Sequence, residues 1–121
     1  MNLNFDSETP IFLQIARELE DSIFTGIYPE ETQIPSTTEI SVGYKINPAT
    51  VLKGMNLLVD DGIVYKKRGV GMFVATGAIE QIKKKRQQQF AENYIRPMLE
   101  EARKRGFTTD DMQKLIEEFA K

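Results

Sequence analysis

The 121 residues contain no cysteine and no histidine. Without thiols there is no disulfide framework and no thiolate chemistry. Without imidazole the commonest general base at neutral pH is missing, and so is a common metal ligand. No run approaches the ~18 consecutive apolar residues of a membrane span. The opening residues, Met1 to Asp6, hold neither a basic nor an apolar segment, so no secretory signal, no membrane partner and a cytoplasmic location are expected. Adjacent acids do occur, at Glu30-Glu31, Asp60-Asp61, Glu100-Glu101, Asp110-Asp111 and Glu117-Glu118. Neighbours in sequence do not face each other on a helix, so these pairs read as solvated surface. Gly69-Val70-Gly71 alone is too weak a signal for a phosphate-cradling loop. No catalytic residue, metal site or cofactor is expected, and the chain does not read as an enzyme.

What is present is an ordinary globular composition with an uneven charge. Hydrophobic residues make up 40%, enough for one modest core. The net charge of −2 comes from 16 basic and 18 acidic residues. Residues 1–78 carry six cations against ten anions, a net of −4, and residues 79–121 carry ten against eight, a net of +2. Three of the first six cations are consecutive: Lys66, Lys67 and Arg68. A basic spot on an acidic body says more about a partner than the sum does.

Periodicity divides the chain. Thr9-Pro10 reads as an N-cap followed by proline at the first helical position, after which Ile11, Ile15, Leu19 and Ile23 mark one stripe of a helix that Gly26 stops. Ser36-Thr37-Thr38-Glu39 is a capping box opening a short second helix that ends near Gly43. Asn47 and Pro48 open a third, in which Val51, Leu52, Met55, Leu58 and Val59 are assigned to the core and Gly62 is the stop. Two short helices joined by so brief a turn form a helix-turn-helix. The period then switches, and Ile63–Tyr65 and Met72–Val74 flank a basic, glycine-rich tip. A helix-turn-helix followed by a small hairpin is a winged helix.

Residues 79–105 read as a long polar helix, with Pro97 predicting a kink or a junction of two helices. A last helix starts near Thr108, with Phe107 placed to staple onto Met112. The expected class is therefore mainly α with one β-hairpin. Residues 1–77 are expected to form a winged helix-turn-helix, read below as a DNA-binding domain, and 78–121 a helical region, read below as a dimerisation region.

Once its apolar positions are assigned inward, the third helix leaves Asn47, Ala49, Thr50, Lys53, Gly54 and Asn56 outside. That small, weakly charged face suits a major groove about 12 Å wide, although a plain solvent face would look the same. At the hairpin tip Lys67 and Arg68 can neutralise phosphates, and Gly69 lets the backbone approach closely. Lys83 to Arg86 wrap all round a helix and read as a solvated neck. In the tail Phe90, Tyr94, Ile95, Met98, Leu99, Met112, Leu115, Ile116 and Phe119 offer more apolar surface than a lone helical pair hides. A second copy of the chain is the favoured cover.

Six segments then agree, in order and spacing, with a known pattern: P-I-F-L-Q-I from Pro10, G-I-Y-P-E from Gly26, I-P-S-T-T-E-I-S from Ile34, I-N-P-A-T-V from Ile46, D-G-I-V from Asp61 and R-G-V-G-M-F-V from Arg68. Over about residues 7–75 the chain resembles the GntR family of bacterial transcription regulators. Its short tail, with R-P-M-L-E-E-A from Arg96, is similar to the YtrA subfamily. The resemblance implies a homodimeric, sequence-specific DNA-binding regulator, a repressor, on a double-stranded inverted-repeat operator, and subfamily members regulate transporter operons. It implies no particular small-molecule effector. It places Ser36 and Thr38 against the DNA backbone, Asn47, Ala49, Thr50 and Lys53 at the recognition surface, and Arg68 and Gly69 at the wing tip. Thr38 and Pro48 stand where most members carry arginine, and the N-P-x-T-V form at Asn47 occurs in the YtrA-like branch. Those lost cations, with the acidic N-terminal part, leave one alternative: a winged-helix protein-interaction module with weak or lost DNA binding.

Overall fold

The computed structural model describes residues 1–121, which form two compact units, Met1–Lys84 and Lys85–Lys121. In the first, α1 (Ile11–Phe24), α2 (Thr37–Tyr44) and α3 (Pro48–Asp60) precede β1 (Val64–Lys67) and β2 (Gly71–Val74). Local chemistry explains most boundaries. The Ser36 hydroxyl accepts from the Glu39 amide while the Glu39 carboxylate accepts from the Ser36 amide, so two otherwise orphaned donors at the start of α2 are satisfied. The Asn47 side chain accepts from the Ala49 amide at 2.8 Å, and Pro48, which has no amide to satisfy, follows it. The start of α1 differs from expectation. Pro10 itself holds the N-cap position, its carbonyl accepting from the Leu13 and Gln14 amides, and no side chain caps the helix. Gln14 instead reaches back to donate to the Thr9 carbonyl at 2.8 Å.

The hairpin is antiparallel, with Val64 opposite Val74 and Lys67 opposite Gly71. The segment before α2 lies along its other edge, where the Glu31 and Ile34 amides donate to the Val74 and Met72 carbonyls. The core fills between these layers. Ile15, Leu19 and Ile23 of α1 meet Val51, Met55 and Leu58 of α3, and Ile63, Val64 and Val74 close it below. Each of these side chains is almost wholly removed from water, which supplies the main stabilisation of the unit.

The chain continues through α4 (Ala78–Phe90), a π-helical turn (Ala91–Ile95), α5 (Arg96–Lys104) and α6 (Thr109–Phe119). Ala78 and Ile82 are fully buried in the first unit's core, so that unit extends past the hairpin to Lys84. The discontinuity expected at Pro97 falls one turn earlier. The Arg96 amide donates to the Ala91 carbonyl five residues back, and Pro97 then sits in the first turn of α5, where a missing amide costs nothing. Between α5 and α6, Gly106 adopts φ 81° and the Phe107 amide donates to the Ala102 carbonyl. The Thr108–Asp111 capping box starts α6. Ala102 and Met112 are the buried apolar residues of this second unit. No helix is long and apolar enough to cross a membrane.

Candidate nucleic-acid interface

The residues singled out in the first half of the sequence lie on three elements of one compact unit. Ser36 and Thr38 are at the first turn of α2, Thr38 exposed and Ser36 half-buried. Ser36 spends its acceptor on the capping box, and its hydroxyl proton is left to donate outward. Between them Thr37 turns inward, its hydroxyl donating to Met55 Sδ at 3.2 Å, so the start of α2 is tied to the middle of α3. Lys45, in the turn itself, takes the left-handed conformation at φ 55°.

Outward on α3 and its N-cap Asn47 are Asn47, Pro48, Ala49, Leu52, Lys53, Asn56 and, at the C-terminal end, Asp60, with Thr50 half-buried. Two expectations are corrected here. Gly54 is not outside: it is buried where α1 crosses, and a Cβ there would meet the Phe12 carbonyl oxygen at 2.6 Å. The helices pack too closely for any side chain at that position. Leu52 is not in the core but 41% exposed. It lies across the helix from Gly54 and Leu58, and apolar character alone could not reveal that. The Lys53 ammonium sits 4.1 Å from the centroid of the Phe12 ring, so α1 seats this cation beside the outer face of α3.

At the hairpin tip Lys66, Lys67, Arg68, Gly69 and Val70 are all exposed. Gly69 has φ 78° and Gly71 φ 146°, conformations that L side chains rarely adopt. Gly71 is also where Gln33 arrives, donating from its amide to the Val70 carbonyl at 3.0 Å and filling the space a Cβ would need. A residue before α2 therefore fixes the bend of the tip. Lys67 lies over the Phe73 ring at 4.3 Å, and that ring stacks on Tyr65. The Tyr65 phenol donates to Glu31 at 2.7 Å, and this hydrogen bond, more than burial or the carboxylate's charge, holds its pKa above the ordinary value. Phe12 and Gln33 carry no signal in the sequence because each acts on a residue some forty positions away, and Phe73 carries none because only the pairing of β1 with β2 brings its ring under Lys67. Lys83 and Lys84 of the basic run are exposed, and Lys85 and Arg86 half-buried.

In the second unit Phe90, Tyr94, Leu99, Ile116 and Phe119 are exposed, and Ile95, Met98 and Leu115 half-buried. Phe90 and Tyr94 pack ring to ring at 5.4 Å. Met112 differs from the rest, being buried against its own chain in a group with Met98, Ala102 and Phe107. Glu92 and Arg96 pair at 2.7 Å across the π-helical turn, and that hydrogen bond holds the Glu92 carboxyl below its usual range.

Comparison with known proteins follows this division. The family model described as bacterial regulatory proteins, gntR family, matches residues 12–74, from the first turn of α1 to the end of β2. The chain is 31% identical over 125 residues to the HTH-type transcriptional regulator YhcF of Bacillus subtilis (strain 168), covering 98% of this chain and 97% of that one. It is 32% identical over 72 residues to the HTH-type transcriptional repressor YtrA of the same organism, covering 60% of this chain and 55% of that one. A GntR-family transcriptional regulator from Bacteroides thetaiotaomicron superposes with a TM-score of 0.74 at 34% identity, over 91% of this chain and 96% of that one. The DNA-binding domain of AraR, solved in complex with operator ORX1, superposes with a TM-score of 0.56 at 27% identity, over 62% of this chain and 93% of that one.

Proposed function

The chain belongs to the GntR family of bacterial regulatory proteins, in a YtrA-like branch, and from that premise we propose that it is a homodimeric repressor of transcription, acting in the cytoplasm on an inverted-repeat DNA operator. Its relatives and its fold are those of transcription regulators rather than enzymes. Residues 1–77 carry the DNA-binding elements, the part of residues 78–121 that lies beyond the first unit's core holds two copies together, and a transporter operon is the target that a YtrA-like regulator suggests.

One observation carries the reading: two clusters of donors, exposed except for the half-buried Thr50, stand on elements anchored in the same core. The first is Asn47, Thr50 and Lys53 on the N-terminal half of α3, and the second is Lys67 and Arg68 at the β1–β2 turn. The N-terminal half of a recognition helix is the part that reaches base edges, and a cationic wing neutralises phosphates beside it. The dimer rests on the apolar residues left exposed on the second unit. Two such domains related by a two-fold read half-sites whose centres lie about 10 bp, or a multiple, apart. The N-terminal domain is acidic overall, so cations at the two clusters carry an unusual share of the electrostatic attraction.

Lys53→Ala and Arg68→Ala test this. If Lys53 reads a base, its loss costs on the order of 1–3 kcal/mol and relaxes sequence preference. Loss of Arg68, as a phosphate contact, weakens all sequences alike and lowers the salt slope by about one. Unchanged affinity in both variants would remove these residues from the interface and leave a protein-interaction module as the better account.

A further inference from the structure

The outer face of α3 carries a residue that the core does not use. Val51, Gly54, Met55 and Leu58 are its buried residues, whereas Leu52 is 41% exposed on the same helix. A lone exposed leucine is unremarkable on most surfaces. This one lies about one turn into the helix, between Ala49 three residues before it and Asn56 four residues after it, so the three form one exposed stripe. The neighbouring cation is held to one side, because Lys53 rests over the Phe12 ring of α1. The stripe is therefore a methyl, an isobutyl group and a carboxamide with no net charge.

That chemistry matches one base pair better than the other. In the major groove thymine presents its 5-methyl group, which an apolar side chain contacts favourably, and adenine presents N7 and its 6-amino group, the pair that an asparagine carboxamide reads. A G·C pair offers no methyl, and its guanine O6 and N7 acceptors call for a cation. We propose that Leu52 is a specificity-determining residue that packs on the 5-methyl group of a thymine in each half-site. The inference rests on the DNA-binding reading above and goes beyond it by naming the base pair recognised.

The test uses the full chain and a library of duplexes with a randomised central segment. Wild-type protein selects its preferred duplex, and each thymine in that duplex is then replaced singly by deoxyuridine, which removes the methyl and nothing else. At one thymine per half-site the affinity should fall about fourfold, the equivalent of the ~0.8 kcal/mol for burying one such group. The Leu52→Ala variant should show no penalty at that position, and Leu52→Met, which restores an apolar tip, should show most of it. Because Leu52 is largely outside the core, the variants should unfold at nearly the wild-type temperature, so a change in binding is not a change in folding. A selected duplex indifferent to deoxyuridine, or a penalty that persists in full in Leu52→Ala, overturns the inference and leaves the regulator reading standing. Failure to enrich any sequence overturns the regulator reading, and the inference with it.

Discussion

The crossing of α1 over α3 makes a sharp test of the packing. At Gly54 a Cβ would lie 2.6 Å from the Phe12 carbonyl oxygen and 3.3 Å from Ile15 Cβ, where ordinary contact begins at 3.4 Å. The obstructing oxygen is backbone and cannot rotate away, so Gly54→Ala must push the helices apart by about 0.8 Å at this point, the difference between those distances. That movement loosens the contacts of Ile15, Leu19, Val51 and Met55, all fully or almost fully buried. Forcing an extra methyl into a packed core costs about 1–3 kcal/mol, and the better helix propensity of alanine returns about 0.8–1. With rigid backbone as the neighbour the upper range applies, and the net loss should be about 1–2 kcal/mol. For a unit of this size that lowers the midpoint by roughly 4–15 °C. Gly43→Ala is the control. It too is helical, but nothing lies within 4 Å of its Cβ, and it should gain about 0.5–1 kcal/mol. Thermal and urea unfolding of both variants decides the matter. A Gly54→Ala protein as stable as wild type would show that the crossing is not close-packed.

Other perturbations probe the caps and the tail. Ser36→Ala removes the capping box of α2 and should cost about 1 kcal/mol of unfolding free energy, read by urea titration. The Asp111 carboxyl accepts from the Thr108 amide, which holds its pKa below the free value of 3.8. Its contribution is therefore fully present above that value and is lost as the pH falls through the lower folded one. Melting curves of wild type should shift downward in this acid range more than those of Asp111→Asn, and parallel profiles would exclude the cap as the cause. Ile116→Glu combined with Phe119→Glu places two charges on exposed positions of α6. Light scattering should find the wild type at the mass of a dimer and this variant at that of a monomer, with the helical circular dichroism retained, and equal masses would remove α6 from the dimer contact.

Much of this fold is legible in the sequence because much of it is local. Asn47-Pro48 and the Ser36–Glu39 box are short patterns whose chemistry closes within four residues, each stands where the pattern predicts, and the last helix starts at Thr108 as expected. Outcomes differ where a distant partner decides. Gly54 and Leu52 exchange their expected sides because a small residue fits an outer face and a helix crossing equally well, and only α1 shows which applies. Pro97 does predict a break, but the π-helical turn before it absorbs the missing amide, and no residue type announces such a turn. The donors at the site, Lys53, Lys67 and Arg68, stand out by charge and placement. The residues that aim them, Phe12, Phe73 and Gln33, are an ordinary-looking pair of aromatics and an amide until the fold brings them together.

Whether this chain binds DNA by sequence is decided by titrating purified protein onto the DNA upstream of its own gene at two salt concentrations, with random duplex as competitor, and footprinting the complex. A sequence-specific regulator should give binding that survives the competitor, weakens steeply with salt as cations on α3 and the hairpin displace counterions, and protects two half-sites about one helical turn, ~10 bp, or a multiple apart. Weak binding that random DNA abolishes, with no protected half-sites, would contradict that reading.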